Sequence, residues 1–288
     1  MEIDGRTELF CLIGSPVGHS GSPAMYNYSF QKTNLNYSYL AFDVGLEQTE
    51  AAIKGLKTLG CKGFNVTMPC KTKAAELADH LSDAAALIGA CNTMVIKEGK
   101  LYGHNTDGAG FVRNLKEHGV EVKGKVMTVL GAGGAATAIQ VQSALEGAEK
   151  IYIFNRKDEF YPNAENTARK IREKLPKVRV EVYPLEDTGT LYEKIGESHI
   201  LVNATKVGMK PMEKESLIKD TSVFRPDLIV ADAVYNPRET KLLKEAKEKG
   251  CSLVLGGIGM LLWQGEAAFR IFTGEDMPAE EVYEKFFR

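Results

Sequence analysis

At 288 residues the chain is long enough for two domains and a substantial buried core. Hydrophobic residues make up 44% and charged residues 26%, the ordinary balance of a globular protein. A formal net charge of −2 gives no overall basic field to draw in nucleic acid or a membrane surface, though it leaves room for a local anion site.

Short β-prone runs alternate with helical segments along the chain, which predicts parallel α/β architecture. Residues 9–13 read as a buried strand, 23–34 as a helix and 37–44 as a second strand. Residues 47–59 have helical spacing through Ala51, Leu56 and Leu59, and a strand is predicted at 63–66. Shorter helices are predicted at 71–77 and 82–88. Strands at 93–96 and 100–103 flank Lys97-Glu98-Gly99, a hairpin turn. A new cycle begins near Asp107, where Phe111, Val112 and Leu115 form the apolar stripe of a helix that Gly119 can end. Residues 126–130 are strongly β-prone and lead into a glycine turn and a helix at 135–145. Further strands are predicted at 151–154, 178–182, 200–202, 228–230 and 253–255, with helices at 259–273 and 279–286 closing the chain. Two α/β units therefore meet near residue 106.

No apolar stretch reaches transmembrane length, and Met1-Glu2-Ile3-Asp4-Gly5-Arg6 lacks the basic-then-apolar order of a signal peptide. The five cysteines are scattered without a C-x-x-C pair, and the five histidines are isolated. The expectation is a reduced cytoplasmic protein with no structural metal, no nucleic-acid partner and no membrane partner. A homodimer is one assembly that the sequence leaves open.

Gly131-Ala132-Gly133-Gly134-Ala135-Ala136 fits G-x-G-x-x-A, with a β-run before it and a helix-prone run after it. The first glycine allows the tight turn and the second lets backbone approach a pyrophosphate. Ala136 permits close helix–strand packing, and free N–H groups at the helix start face the anion. The alternative is a glycine-rich turn without a ligand. Beyond the next β-run, Asn155, Arg156, Lys157 and Asp158 stand where a Rossmann domain meets the adenosine ribose. Asp158 suits the ribose hydroxyls of NAD, while Arg156 and Lys157 suit the 2′-phosphate of NADP. A plain solvated charged turn is the competing reading.

Four segments look too particular for scaffold: Gly18-His19-Ser20-Gly21-Ser22-Pro23, Asn65-Val66-Thr67-Met68-Pro69-Cys70-Lys71, Gly89-Ala90-Cys91-Asn92-Thr93 and Asn105-Thr106-Asp107-Gly108. Ser22 before Pro23 is also a good helix N-cap followed by proline, whereas Ser20 has less structural excuse. Lysine is mildly disfavoured at a helix start, which speaks for a functional Lys71, and Asp107 could simply cap the following helix.

Together with Gly257-Ile258-Gly259-Met260-Leu261-Leu262-Trp263-Gln264, these segments resemble the shikimate dehydrogenase family over nearly the whole chain and in the same order. Asn155-Arg156-Lys157-Asp158-Glu159-Phe160 and Lys206-Val207-Gly208-Met209-Lys210-Pro211 lie nearest its quinate/shikimate branch. Gly21 and Ile258 are small departures. The resemblance implies an N-terminal α/β substrate domain (1–106 plus 262–288) and a Rossmann-type dinucleotide-binding domain (107–261). It implies NAD(P)-dependent, reversible hydride transfer at ring C3 of shikimate or quinate and their 3-dehydro forms, in aromatic amino acid biosynthesis or quinate breakdown.

By the same resemblance Lys71 and Asp107 are catalytic, with the lysine exchanging the proton and the aspartate binding a neighbouring ring hydroxyl. A carboxylate beside it favours charged lysine, so a shared proton network is expected rather than a lone lysine base. Ser20 and Ser22 would hold the substrate carboxylate, and Thr67, Asn92, Tyr235 and Gln264 would supply further contacts. The cofactor would meet Gly131 to Ala135, Asn155 to Asp158, Lys206, Ala233, Val234, Tyr235, Asn236 and Gly257. Three alternatives stand beside this reading: a strictly NADP-dependent biosynthetic enzyme, a methylenetetrahydrofolate dehydrogenase-like protein, and a non-catalytic nucleotide-responsive module.

Overall fold

The computed structural model describes residues 3–288, which divide into two compact units. One comprises the chain up to Thr106 together with Leu262–Arg288, and the other is Asp107–Leu261.

The first unit contains β1 (Glu8–Gly14), α1 (Ser22–Lys32), β2 (Tyr37–Asp43), α2 (Thr49–Thr58), β3 (Gly63–Val66), α3 (Lys71–Glu76), β4 (His80–Leu81), α4 (Asp83–Ile88), β5 (Thr93–Lys97) and β6 (Lys100–His104). Its six-stranded sheet runs β2-β1-β3-β5-β6-β4. β1 is parallel to both β2 and β3, while β5 is antiparallel to β3 and to β6, so this sheet is mixed, with the hairpin expected across Lys97-Glu98-Gly99 as part of its antiparallel side. The reason is local. Glu98 and Gly99 both take positive φ (51° and 72°), the backbone of a tight hairpin turn, and a hairpin makes its strands antiparallel. β4 is too short to leave a periodic signal and exists only through pairing with β6.

Alternation along β1 sends Cys11 and Ile13 to one face, with Ile53, Phe64 and Val66. Phe10 and Leu12 go to the other, with Tyr26, Phe30, Tyr39 and Phe269. Burying a large apolar side chain of this kind is worth roughly 1.5–3 kcal/mol, so these two layers dominate the unit's stability.

The second unit contains α5 (Asp107–Glu117), β7 (Val126–Leu130), α6 (Gly134–Leu145), β8 (Lys150–Asn155), α7 (Tyr161–Lys174), β9 (Arg179–Pro184), α8 (Thr188–Glu197), β10 (Ile200–Asn203), β11 (Ile229–Asp232), α9 (Lys241–Glu248) and β12 (Leu253–Leu255). All its strands are parallel, in the order β12-β11-β10-β7-β8-β9. Counted by appearance from the β9 edge, that is the 3-2-1-4-5-6 order of a doubly wound dinucleotide fold. The order reverses between β7 and β10, which places the ligand crevice at their carboxyl ends.

α10 (Gly257–Thr273) starts in the second unit and continues into the first, where α11 (Ala279–Phe286) follows it. No helix among the described residues is long and apolar enough to cross a membrane.

Candidate functional site

The glycine turn sits at the switch point of the parallel sheet. Gly131 leaves β7 with φ +117°, and a Cβ there would lie 2.8 Å from the carbonyl oxygen of Ala204, which follows β10. Only glycine meets both demands. The turn's carbonyls are tied back: Gln140 Nε2 donates to Gly131 O at 2.9 Å, and Asn163 Nδ2 donates to Ala132 O. Gly133 caps α6 without a side chain, and the first intrahelical bond runs from Thr137 N to Gly133 O. Gly134 and Ala135 are exposed, so their N–H groups precede the helical ladder at the positive end of the helix dipole. Buried Ala136 lets the helix start close to the sheet. A pyrophosphate fits this donor set. The two bracing amides, Gln140 and Asn163, escaped the sequence reading because glutamine and asparagine on helices carry no pattern of their own.

Asn155 ends β8 and donates to Asp158 Oδ1 at 3.0 Å. The same oxygen accepts from Phe160 N at 3.0 Å, and Oδ2 lies 3.4 Å from Arg156. Asp158, the residue expected at the ribose, therefore shapes the turn. The Arg156 side chain is 73% exposed, and Lys157 is exposed beside it.

Of the expected substrate residues of the first unit, Thr67, Lys71 and Asn92 gather where β3 ends. A Cβ on Gly14 would stand 2.4 Å from Thr67 Cγ2, so the β1 exit lies directly on Thr67. Lys71 opens α3, half-buried, and its carbonyl accepts from Cys91 N at 2.9 Å, next to Asn92. Asn92 is buried and oriented by its surroundings. Its Oδ1 accepts from Thr106 N at 2.8 Å and Thr93 Oγ1 at 3.0 Å, and its Nδ2 donates to Thr106 Oγ1 at 2.9 Å. Asn65 links this net to Tyr39, whose hydroxyl donates to Asn65 Oδ1 at 2.7 Å. Gln264 lies on α10 beside Gly265, whose carbonyl accepts from Tyr26 of α1 at 3.2 Å. Trp263 packs against the core shared by α1 and α10.

Two serine expectations need correcting. The N-cap of α1 is Gly21, not Ser22, which is already helical. Ser20 instead accepts from Ser22 N at 3.3 Å, so the serine thought to lack a structural role helps close the helix entrance. Since Ser20 Oγ accepts that bond, its proton remains to be donated.

In the second unit Asp107 is the first residue of α5, half-buried, rather than a cap preceding it. Gly108 follows, pressed against Ala138 of α6. Tyr235 and Asn236 stand exposed just beyond β11, and Lys206 is exposed beyond β10. Gly257 holds the start of the Tyr235 segment: its N–H donates to Val234 O at 3.0 Å, and a Cβ would sit 2.3 Å from Ala233 O. Asp232, the last residue of β11, is 3% exposed, and burial pushes its carboxyl up to about 6. The sequence reading missed it, although an acid closing an apolar strand was a signal.

Comparison with known proteins agrees in both units. The family model "Shikimate dehydrogenase substrate binding domain" matches residues 12–94, and "Shikimate 5'-dehydrogenase C-terminal domain" matches residues 257–285. The chain is 49% identical over 285 residues to a shikimate dehydrogenase (NADP(+)) of Listeria monocytogenes, covering 99% of this chain and 97% of that protein. It is 46% identical over 282 residues to a quinate/shikimate dehydrogenase of Escherichia coli, covering 98% and 97%. Among solved structures, the shikimate 5-dehydrogenase from Listeria monocytogenes in complex with shikimate and NAD superposes with a TM-score of 0.97 at 48% identity, covering 100% of this chain and 99% of that one.

Proposed function

The chain belongs to the shikimate dehydrogenase family, and on that premise we propose that it oxidises ring C3 of shikimate and quinate, and reduces the 3-ketone of their dehydro forms, with a nicotinamide dinucleotide. The observation that carries the reading is the grouping of Thr67, Lys71 and Asn92 on one backbone frame at the exit of β3, with Ser20 beyond the adjacent exit of β1. When bound, the dinucleotide gives or takes the hydride.

The chain's own residues bind, orient and move the proton. Ser20 donates its hydroxyl proton to the substrate carboxylate, with Ser22 beside it at the head of α1. Thr67 and Asn92 hold ring hydroxyls, the asparagine with its amide already fixed by Thr93 and Thr106. A site so satisfied rejects rings that leave its groups unpaired. Lys71 Nζ gives a proton to the oxygen as the ketone is reduced and takes it back in oxidation, while Asp107 accepts from a neighbouring ring hydroxyl. Gln264 and Tyr235 complete the substrate contacts. Gly131 to Ala135, Asn155 to Asp158, Lys206, Ala233 to Asn236 and Gly257 receive the cofactor. We place the reaction in the cytoplasm, where the five buried thiols stay reduced.

A second reading, a strictly NADP-dependent biosynthetic enzyme, is favoured by one observation. Both oxygens of Asp158 are engaged within the turn, while the Arg156 guanidinium projects into solvent where a 2′-phosphate would lie. Initial rates with shikimate and quinate, each with NAD⁺ and NADP⁺, separate the two. Turnover of both substrates with NAD⁺ at least as good as NADP⁺ supports the broad reading, and shikimate turnover with NADP⁺ alone supports the second. No turnover in any combination removes both.

A further inference from the structure

β11 ends on a buried carboxylate that no step above uses. Asp232 Oδ1 accepts from Asn203 Nδ2 and from Val234 N, both at 2.9 Å, and Oδ2 accepts from Thr240 Oγ1 at 2.7 Å. Each donor belongs to a different segment. Asn203 ends β10 and passes the connection on, donating also to Val207 O at 3.0 Å and accepting from Thr205 Oγ1 at 2.7 Å. Thr240 caps α9 by accepting from Leu243 N at 3.4 Å. Gly208, at φ +103°, leans on the pair: a Cβ there would meet Thr240 Cγ2 at 3.2 Å and Asp232 Oδ2 at 3.9 Å. One carboxylate thus ties together the loop carrying Lys206, the segment 233–236 and the head of α9.

We propose that Asp232 is a positioning residue for the dinucleotide: through Asn203, Val234 N–H and Thr240 it holds segments 204–208 and 233–236 at the spacing that receives the cofactor. The inference rests on the function proposed above.

An ionised carboxylate is an acceptor only, which suits three donors. Protonation turns one oxygen into a donor facing groups that also need to donate. A buried charge of this kind is costly for the fold, so scaffolding alone is a weak reason to keep it. Surrounding charge does not neutralise it. Lys206 and Lys210 on one loop, Arg238 and Glu239 on the next, and Lys241, Lys244, Glu245, Lys247 and Glu248 on α9 are the charged groups of the packed elements; among the described residues none forms an ion pair with Asp232. β10 and β12 carry no charged side chain. With burial lifting the carboxyl to about 6, the change of state falls within reach of ordinary assays.

The test compares wild type, Asp232→Asn, Thr240→Val and Thr240→Ser by fluorescence titration of NADPH and by initial rates. Asp232→Asn and Thr240→Val should weaken NADPH binding and raise the dinucleotide KM about tenfold, the scale of a lost charge-assisted bond, with kcat and the shikimate KM within about threefold. Thr240→Ser, which keeps the hydroxyl, should behave as wild type. Wild-type affinity for NADPH should fall more steeply below about pH 6 than that of Asp232→Asn, which keeps only the titration of the 2′-phosphate. Folded variants with unchanged NADPH affinity overturn the inference, as does an equal loss in kcat and every KM, the mark of general destabilisation. If Asp232→Asn does not fold, the Thr240 pair decides. Failure of wild type to turn over any substrate would remove the proposed function, whereas the NADPH titrations would still judge Asp232.

Discussion

A Cβ added to Gly108 would stand 2.2 Å from the carbonyl oxygen of Ala138, so the first turn of α5 lies directly on the backbone of α6. Asp107, the residue before it, is placed by that contact. The far part of α5 meets Gly259 only through the Asn114 side chain, which can shift more easily than backbone. Helix propensity alone makes alanine better than glycine by about 1 kcal/mol, but a backbone oxygen cannot rotate away and overpacking costs roughly 1–3 kcal/mol. Gly108→Ala should therefore lower the urea midpoint by a net loss of up to about 2 kcal/mol, and turnover should fall with it. A midpoint at or above wild type would show that α5 can leave α6 without cost.

Lys71 is half-buried at the head of a short helix, and its removal should leave the fold intact. Positioned proton transfer is worth roughly 10²–10⁴-fold, so Lys71→Ala should lose about that much kcat with an unchanged far-ultraviolet circular dichroism spectrum. Turnover close to wild type would take the proton-transfer role away from Lys71.

Arg156 is one of two adjacent exposed cations in the turn after β8. Its replacement by alanine should raise the KM for NADP⁺ about tenfold, the worth of a lost charge-assisted phosphate contact, and change that for NAD⁺ by less than about twofold. Parallel rises for both cofactors would remove Arg156 from their discrimination.

Asp232 also predicts how stability depends on pH. Its carboxyl is raised in the folded chain, from 3.8 to about 6, so between those values the folded state keeps a proton that the unfolded state has lost. Its contribution to stability therefore falls as pH rises through that window, by about 1.4 kcal/mol per unit, and is constant above it. Asp232→Asn lacks this dependence. Urea unfolding at about pH 4.5 and pH 7 should show the variant gaining about 2 kcal/mol on wild type at the higher pH. A difference independent of pH would mean that the carboxyl is not raised.

Much of the molecule is legible in one dimension. The central strands β1, β7, β8 and β10 are largely apolar runs, the Glu98-Gly99 turn announces its hairpin, and Gly131 to Ala136 carries its own demand for a tight turn followed by a helix. Such features depend on residues close in sequence, where backbone freedom and side-chain periodicity act directly. The segments around Ser20, Thr67, Lys71, Asn92 and Asp107 stood out because their residue types exceed what a turn or cap needs.

What the sequence by itself determined, then, is most of the run of elements and the dinucleotide turn, while Lys71 and Asp107 became acid–base candidates through the family resemblance. Only tertiary structure decided which helix residue Ser20 serves, that β4 exists, and that β5 lies beside β3. It alone decided that Asn203, Asp232, Val234 and Thr240 form one buried net, and that Gly108 meets Ala138. Each of these depends on strand order or helix contact, and chain spacing does not encode which backbone will lie within a few ångströms of another. Burial then changes the chemistry: an aspartate that would be an ordinary acid at a strand end becomes, under two loops, a charge that holds both.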